Sequence, residues 1–134
     1  VAFTAPSDVG DDAITAFVAQ TNTSLLFSSS YASKSFNVSS QAGGAGGVQF
    51  KSDGTKMYVT GQASDKTFQY SLSTAYDVST ASYDSVELNH ATQVSNANPY
   101  DLFFKTDGTK LYVMFGVNDT VYQYGLSRCL PLGI

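Results

Sequence analysis

The chain contains two copies of one segment, and this internal repeat constrains the fold more than any other feature of the sequence. Residues 48–73 and 102–127 align without a gap at an offset of 54 positions and are identical at 13 of 26 positions. Such self-similarity is typical of architectures in which each unit buries its apolar faces only by stacking on the next. The match extends upstream, because Tyr31, Ser33, Asn37 and Gln41 recur as Tyr83, Ser85, Asn89 and Gln93.

Each copy is predicted to contain a tight β-hairpin. Asp53-Gly54 and Asp107-Gly108 lie between alternating apolar residues, which favours a type I′ turn with positive φ at both central residues. A two-residue turn sets the register of the strands that it joins. The predicted cross-strand pairs are Val48 with Val59, Gln49 with Tyr58, Phe50 with Met57, Leu102 with Val113, Phe103 with Tyr112, and Phe104 with Leu111.

Further strands follow each hairpin. Alternation of period two predicts a third strand over Thr67 to Leu72 and over Val121 to Leu126. Segments poorer in apolar residues, Ser82 to Asn89 and Ser30 to Val38, are predicted to form fourth, outer strands. Four antiparallel strands with two apolar faces are typical of a propeller blade. The sequence therefore predicts an all-β fold of antiparallel four-stranded blade-like repeats of a β-propeller, about two to three blades in an incomplete ring.

The repeat also divides the chain. We expect blade repeats over 31–82 and 83–127 and a C-terminal tail over 128–134, whereas 1–30 is either a degenerate partial blade or lies outside the repeat. A propeller ring needs at least about four blades. We therefore expect either a homo-oligomer or a piece of a longer propeller chain.

Charge and hydropathy exclude two classes of partner. The net charge is −4 and the lysines are dispersed, whereas proteins that bind nucleic acids usually carry a clustered basic face. No apolar run approaches the roughly 18–20 residues that a membrane-spanning helix needs. We expect no nucleic-acid binding and no membrane insertion. Residues 1–20 lack the pattern of a signal peptide, so any export signal would lie upstream.

The two copies resemble a known type of repeat. The segments FKSDGTKMYVTG…DKTFQYSLSTAYDVSTASY and FKTDGTKLYVMFG…DTVYQYGLS are similar to the YVTN-type and WD40-like propeller repeats of secreted, surface-layer and phage tail or fibre proteins. This resemblance implies an extracellular, cell-surface or virion location. It says little about activity, because such propellers include binding proteins, scaffolds and a few enzymes. After Ser127 the counterpart of STAYDVSTASY is missing. The last blade therefore lacks its outer strand unless the N-terminal segment supplies one.

The candidate binding site is a rim of loops. In an antiparallel blade, the turns between the second and third strands lie at the same end as the loops between blades. Residues 41–47, 61–66, 93–101 and 116–120 are predicted to meet there. An aromatic residue among amides and carboxylates suits a sugar or peptide ligand, although an ordinary Asn/Pro turn is the alternative. The candidate ligand-binding residues are Asp65, Asn96, Asn98, Tyr100, Asp101, Asn118 and Asp119.

No catalytic residue, metal site or cofactor is predicted. His90 is the single histidine and has neither a neighbouring cysteine nor a serine motif of nucleophile-elbow spacing. Each SDGTK or TDGTK turn offers one carboxylate, whereas calcium sites need several oxygen ligands. The glycine run over 43–47 matches no phosphate-binding pattern and is interpreted as a permissive loop.

Three functions are consistent with the sequence. The first is a non-enzymatic structural or adhesive module of a secreted, cell-surface or virion protein whose partner is another protein or a glycan. The second is an oligomeric lectin-like propeller that binds carbohydrate. The third is a fragment of a lactonase-like propeller enzyme, which would need acidic or histidine ligands that this segment does not supply.

Overall fold

The computed structural model describes residues 29–127, and this part of the chain is all-β. The chain divides into two compact units, residues 1–33 and 34–134, and the described part of the first unit contains no strand. In the described part of the second unit, the strands are β1 Ala45–Phe50, β2 Lys56–Gly61, β3 Lys66–Leu72, β4 Ala81–Asn89, β5 Pro99–Phe104, β6 Lys110–Phe115 and β7 Thr120–Gly125. A 3₁₀ turn, Val78–Thr80, precedes β4.

The strands form two antiparallel sheets that follow the repeat. Sheet A has the order β1-β2-β3-β4, and sheet B has the order β5-β6-β7. Within residues 29–127 the two sheets do not close a ring. This architecture confirms the predicted fold class of blade-like antiparallel sheets. Over the same residues, no helix is long and apolar enough to span a membrane.

One predicted strand is wrong. Ser30 to Val38 is not a strand in the structure, although Phe36 and Val38 pack against the apolar face of sheet A. A strand needs a hydrogen-bonded neighbour, and the described residues contain no third strand ahead of this segment with which it could pair. Its equivalence to the outer strand of the other copy therefore did not make it a strand.

The predicted hairpin register is confirmed in both copies. In sheet A, Val48 lies opposite Val59 and Phe50 lies opposite Met57. In sheet B, all three predicted pairs are found, Leu102 with Val113, Phe103 with Tyr112, and Phe104 with Leu111. A slip of one residue would send every apolar side chain to the opposite face, so the apolar pattern fixes the register.

The predicted turn type is wrong. Only Gly54 has a positive φ, 72°, whereas Asp53 does not, and a type I′ turn requires both. The turn bond runs from Gly54 N to Lys51 O at 2.8 Å. The tight turn therefore covers 51–54, one residue earlier than predicted. Gly54 is the last of these four residues, and glycine adopts the left-handed conformation there without strain.

The aspartate of each turn forms hydrogen bonds within that turn. Asp53 Oδ1 accepts hydrogen bonds from Thr55 N at 2.9 Å and from Thr55 Oγ1 at 2.7 Å, and Lys51 Nζ donates to Asp53 Oδ2 at 2.6 Å. Asp107 makes the same contacts with Thr109 and Lys105. These bonds account for the aspartate in SDGTK and TDGTK by turn formation.

Apolar residues form two cores, one on each side of sheet A. The first core fills the space between the sheets, which we call the seam, and its buried members are Tyr58, Ala97, Leu102, Phe104, Leu111, Val113 and Phe115. The second lies on the other face of sheet A, and its buried members are Ala42, Met57, Val59, Phe68, Tyr70 and Leu72. Repeat-equivalent residues thus occupy both cores. For example, Met57 and Leu111 are 54 positions apart.

Candidate functional site

The loops predicted to form the rim meet at one end of the two sheets. Two backbone hydrogen bonds of 2.9 Å join residues 43–44 to residues 62–63. Gly116 N donates to Asn98 O at 3.1 Å, which joins the β6–β7 turn to the β4–β5 loop. The rim is therefore a connected surface built from both sheets.

Asp65 joins the two halves of this rim. Its Oδ1 accepts a hydrogen bond from Asn98 N at 2.9 Å, and its backbone oxygen accepts one from His90 N at 2.9 Å. Among the candidate residues, the structure thus brings Asp65 and Asn98 into direct contact. The carboxylate of Asp65 fixes the loop rather than projecting alone into solvent.

Four of the candidate residues have left-handed backbone conformations. The φ angles are 53° at Asp65, 56° at Asn96, 54° at Asn98 and 52° at Asp119. Asparagine and aspartate tolerate this region better than other residues with a Cβ. Backbone geometry is therefore a sufficient reason for these residue types, and their role as ligand-binding groups stays a prediction.

Tyr100 is the most exposed aromatic side chain of the rim. It is 48% exposed, and its ring lies directly against Gly116, where an added Cβ would come within 1.7 Å of Cε2. Val117 and Asn118, both exposed, follow this glycine, and Asn118 Nδ2 donates to Tyr122 Oη at 3.3 Å. The rim thus offers an aromatic surface beside exposed amide and carboxylate groups.

Asp101, the residue after Tyr100 in β5, lies at the contact between β1 and β5. Its Oδ1 accepts a hydrogen bond from Leu102 N at 2.8 Å and would lie 2.4 Å from a Cβ at Gly47. A Cβ at Gly46 would lie 2.7 Å from the carbonyl oxygen of Tyr100. The glycine run is therefore more than a permissive loop, because Gly46 and Gly47 belong to β1 and allow it to approach β5 closely.

His90 is a buried link between the sheets. It is fully buried, its Nε2 lies 2.8 Å from Thr67 Oγ1 on β3, and its Nδ1 lies 2.9 Å from Tyr124 Oη on β7. Burial lowers the pKa of His90 to about 4, although the negative charge of Asp65 opposes this change. His90 is therefore neutral near pH 7, and both ring nitrogens have partners. Its position at the end of β4 was visible in the sequence, but its two partners were not.

An open groove of about 380 Å³ lies at the outer part of the seam, between β3 and β4 of sheet A and the end of sheet B. Its mainly apolar lining includes Tyr58, Phe104, Leu111 and Leu126. The Tyr58 hydroxyl is buried and has no hydrogen-bond partner among the described residues. Burial, together with the charges of nearby aspartates, raises the pKa of Tyr58 to about 12. This groove was not predicted from the sequence, because it arises from packing between residues that are distant in sequence.

Acidic and histidine side chains do not converge in the described part of the chain. Residues 29–127 contain no group of three or more His, Cys, Asp or Glu side chains that could hold a metal ion. Several of the described carboxylates instead bind lysines, as in the pair Lys56–Asp84 at 2.7 Å and the pair Lys66–Glu87 at 2.5 Å.

Comparison with known proteins supports the architecture and little more. No protein-family model matches the chain, and no curated protein matches it. A solved structure, that of a putative 6-phosphogluconolactonase from Bacteroides uniformis, is similar with a TM-score of 0.51 and 14% sequence identity. The match covers 67% of this chain and 25% of that chain. The protein is thus of a propeller-like, all-β class, and it spans about a quarter of the length of that relative.

Proposed function

We propose that the chain is a non-enzymatic interaction module in which two blade-like sheets present the rim to another macromolecule. The observation that carries this proposal is the half-exposed ring of Tyr100, held against Gly116 between turns rich in asparagine and aspartate. Aromatic faces beside hydrogen-bonding groups are typical of sites that bind sugars and peptides.

The state of His90 supports a non-enzymatic role. A general base must reach the proton that it abstracts, and the His90 ring is buried between Thr67 and Tyr124. The carboxylates of Asp53 and Asp107, at the opposite end of the sheets, are bonded within their own turns. These groups therefore favour structural roles.

A carbohydrate ligand is the form of this proposal that can be tested directly. The purified chain would be applied to an array of glycans, and any binding would be measured again with Tyr100→Ala. We expect about a tenfold loss of affinity, since truncation of an aromatic side chain that anchors a ligand typically costs more than about 1 kcal/mol. Tyr76→Ala is the matched control, because Tyr76 is 57% exposed and its backbone nitrogen bonds to Gly54 at the other end of sheet A.

Binding that survives Tyr100→Ala unchanged would contradict the assignment of the rim. An array without any bound glycan would reject the lectin-like alternative and would direct the search to a protein ligand.

A second candidate function is that of a piece of a lactone-hydrolysing propeller. It is favoured by one observation, the similarity in fold to the putative 6-phosphogluconolactonase. The test is hydrolysis of 6-phosphogluconolactone by the purified chain, measured against the spontaneous rate. Turnover above that rate would reject the non-enzymatic proposal.

The partner that completes the fold is proposed to be a further blade. The outer face of sheet B exposes Phe103, Met114 and Val121, by 56%, 45% and 60%. Thr60 and Thr67, the repeat equivalents of Met114 and Val121, are buried in sheet A. A face more apolar than its buried counterpart is expected to be covered. The cover would come from a second copy or from the rest of a longer chain. We also propose an extracellular, cell-surface or virion location, on the basis of the resemblance of the two copies to repeats of secreted, surface-layer and phage tail or fibre proteins.

A further inference from the structure

The two copies of the repeat differ at one edge. In sheet A, β4 pairs with β3 along its whole length, from Lys66 with Asn89 to Leu72 with Ala81. In sheet B, no strand of the described residues pairs with the outer edge of β7. Four of the six residues of β7 are exposed, whereas four of the seven residues of β3 are buried. The outer edge of β7 thus presents backbone groups that β3 uses for pairing.

The side-chain contacts between β3 and β4 show what such an edge recognises. Asp84 lies at a bulge in β4, where the register shifts and Ser85 has a φ of 58°. Its carboxylate accepts a hydrogen bond from Lys56 Nζ at 2.7 Å and one from Gln69 Nε2 at 2.7 Å. Ser71 Oγ also donates to it. One acidic residue of the outer strand is therefore held by two strands of sheet A.

The same donors are present in sheet B and have no such partner. Lys110 and Gln123 stand 54 positions after Lys56 and Gln69. Within residues 29–127, Lys110 forms no ion pair. Gly125 replaces Ser71, and the space where its Cβ would be is open to at least 4 Å. Sheet B thus has a lysine and an amide placed for a carboxylate that its own described strands do not supply.

The groove provides room for the apolar side of an added strand. In sheet A, Tyr83 of the outer strand packs 5.6 Å from the ring of Tyr70 and 6.0 Å from that of Phe68. The equivalents of these two rings in sheet B are Tyr124 and Tyr122, which pack against the first core. Leu111, which lies opposite Tyr124 in the sheet, lines the open groove of about 380 Å³. An aromatic residue of an added strand, at the position that Tyr83 has in β4, would enter the groove.

We propose that the outer edge of β7 is a binding site for an extended peptide strand of a partner polypeptide, with an aromatic residue followed by an acidic one as in the Tyr83-Asp84 pair of β4. The strand adds to sheet B by backbone hydrogen bonds, as in other cases of β-strand addition. Its aromatic side chain enters the groove, and its carboxylate binds Lys110 and Gln123. This site is separate from the rim, so the proposal does not depend on the proposed function.

A peptide with the sequence of residues 81–89, ASYDSVELN, is the probe. Titration into the isotopically labelled chain should shift the backbone amide signals of residues 120–125, because an added strand bonds to this edge through its backbone. A peptide with lysine in place of Asp84 should bind about tenfold more weakly, because a charge-assisted hydrogen bond is lost. The variant Lys110→Glu should bind the original peptide more weakly and should bind the lysine-containing peptide more tightly than the unaltered chain does.

Lys105→Glu is the matched control, since Lys105 is exposed and bonds to Asp107 at the hairpin turn. Circular dichroism and thermal melting would verify that each variant is folded. No binding at 1 mM peptide would overturn the proposal, including the case in which another segment or a second copy already occupies the edge. Equal binding of the original peptide to Lys110→Glu and to the unaltered chain would overturn it as well.

Discussion

Replacement of His90 by glutamine should change how the stability of the fold depends on pH. His90 is the single histidine of the chain and is fully buried between the sheets. Burial lowers its pKa from the usual 6.5 to about 4. Between these two values the unfolded chain binds more protons than the folded one, so stability is complete above about pH 6.5 and falls as the pH is lowered toward 4.

The magnitude follows from the two pKa values. Each pKa unit of difference corresponds to about 1.4 kcal/mol, so we expect the free energy of unfolding to fall by about 2–3 kcal/mol between pH 7.5 and pH 4.5. The carboxyl groups of Asp53 and Asp107 have lowered pKa values, chiefly because of hydrogen bonds from Lys51 and Lys105. These turn aspartates therefore stay charged over this range, and the titration of His90 dominates.

Urea unfolding at several pH values, for the unaltered chain and for His90→Gln, measures the effect. The variant should be less stable near pH 7 by about 1–3 kcal/mol, because glutamine cannot reproduce both hydrogen bonds. Its stability should then change much less between pH 7.5 and pH 4.5. Parallel curves for the two proteins would refute the argument, since the dependence would then arise from other groups.

Three further predictions concern the turns, the rim and the outer face of sheet B. Gly54→Ala should lower the free energy of unfolding by about 1–2 kcal/mol, because the residue has a left-handed φ and the new Cβ would clash with the ring of Tyr76. Thermal melting measures this loss, and a smaller loss in the Tyr76→Ala background would show the share that is due to the contact. No loss of stability in either background would contradict the prediction. Gly116→Ala should displace the ring of Tyr100 and lower the free energy of unfolding by less than about 1 kcal/mol, since the ring is half exposed and can move. Unchanged NMR signals of that ring would show that it does not lie against Gly116. The double substitution Met114→Thr, Val121→Thr should reduce self-association in light scattering over a concentration series, with Val117→Thr as the exposed control; a chain that is already monomeric at every concentration would show that no second copy covers this face.

The sequence predicted those parts of the fold that depend on local pattern. The pairing of Phe50 with Met57 followed from a hairpin centred on Asp53-Gly54, and it is found in the structure. The turn type did not follow, because Asp-Gly is compatible with glycine at either of two turn positions. The segment from Ser30 to Val38 was predicted to be an outer strand like Ser82 to Asn89, but it has no neighbouring strand among the described residues.

The rim was predictable in outline and not in detail. Antiparallel topology required the loops to meet, and hydrogen bonds join them, as between Gly116 and Asn98. The packing of Tyr100 on Gly116 and the two partners of His90 depend on residues distant in sequence. No short-range pattern encodes such contacts, which arise only when the two sheets pack.

The seam makes the two repeats non-interchangeable. Gln49 of sheet A accepts a hydrogen bond through its Oε1 from Phe104 N of sheet B at 2.8 Å. The equivalent position in the second copy is Phe103, whose ring can accept no such bond. In a tandem of first copies, each contact between sheets would therefore contain this glutamine. In a tandem of second copies, it would contain a phenylalanine ring instead. The contact between the sheets is therefore asymmetric, because the hydrogen bond that Gln49 accepts has no counterpart from the same position of the second copy.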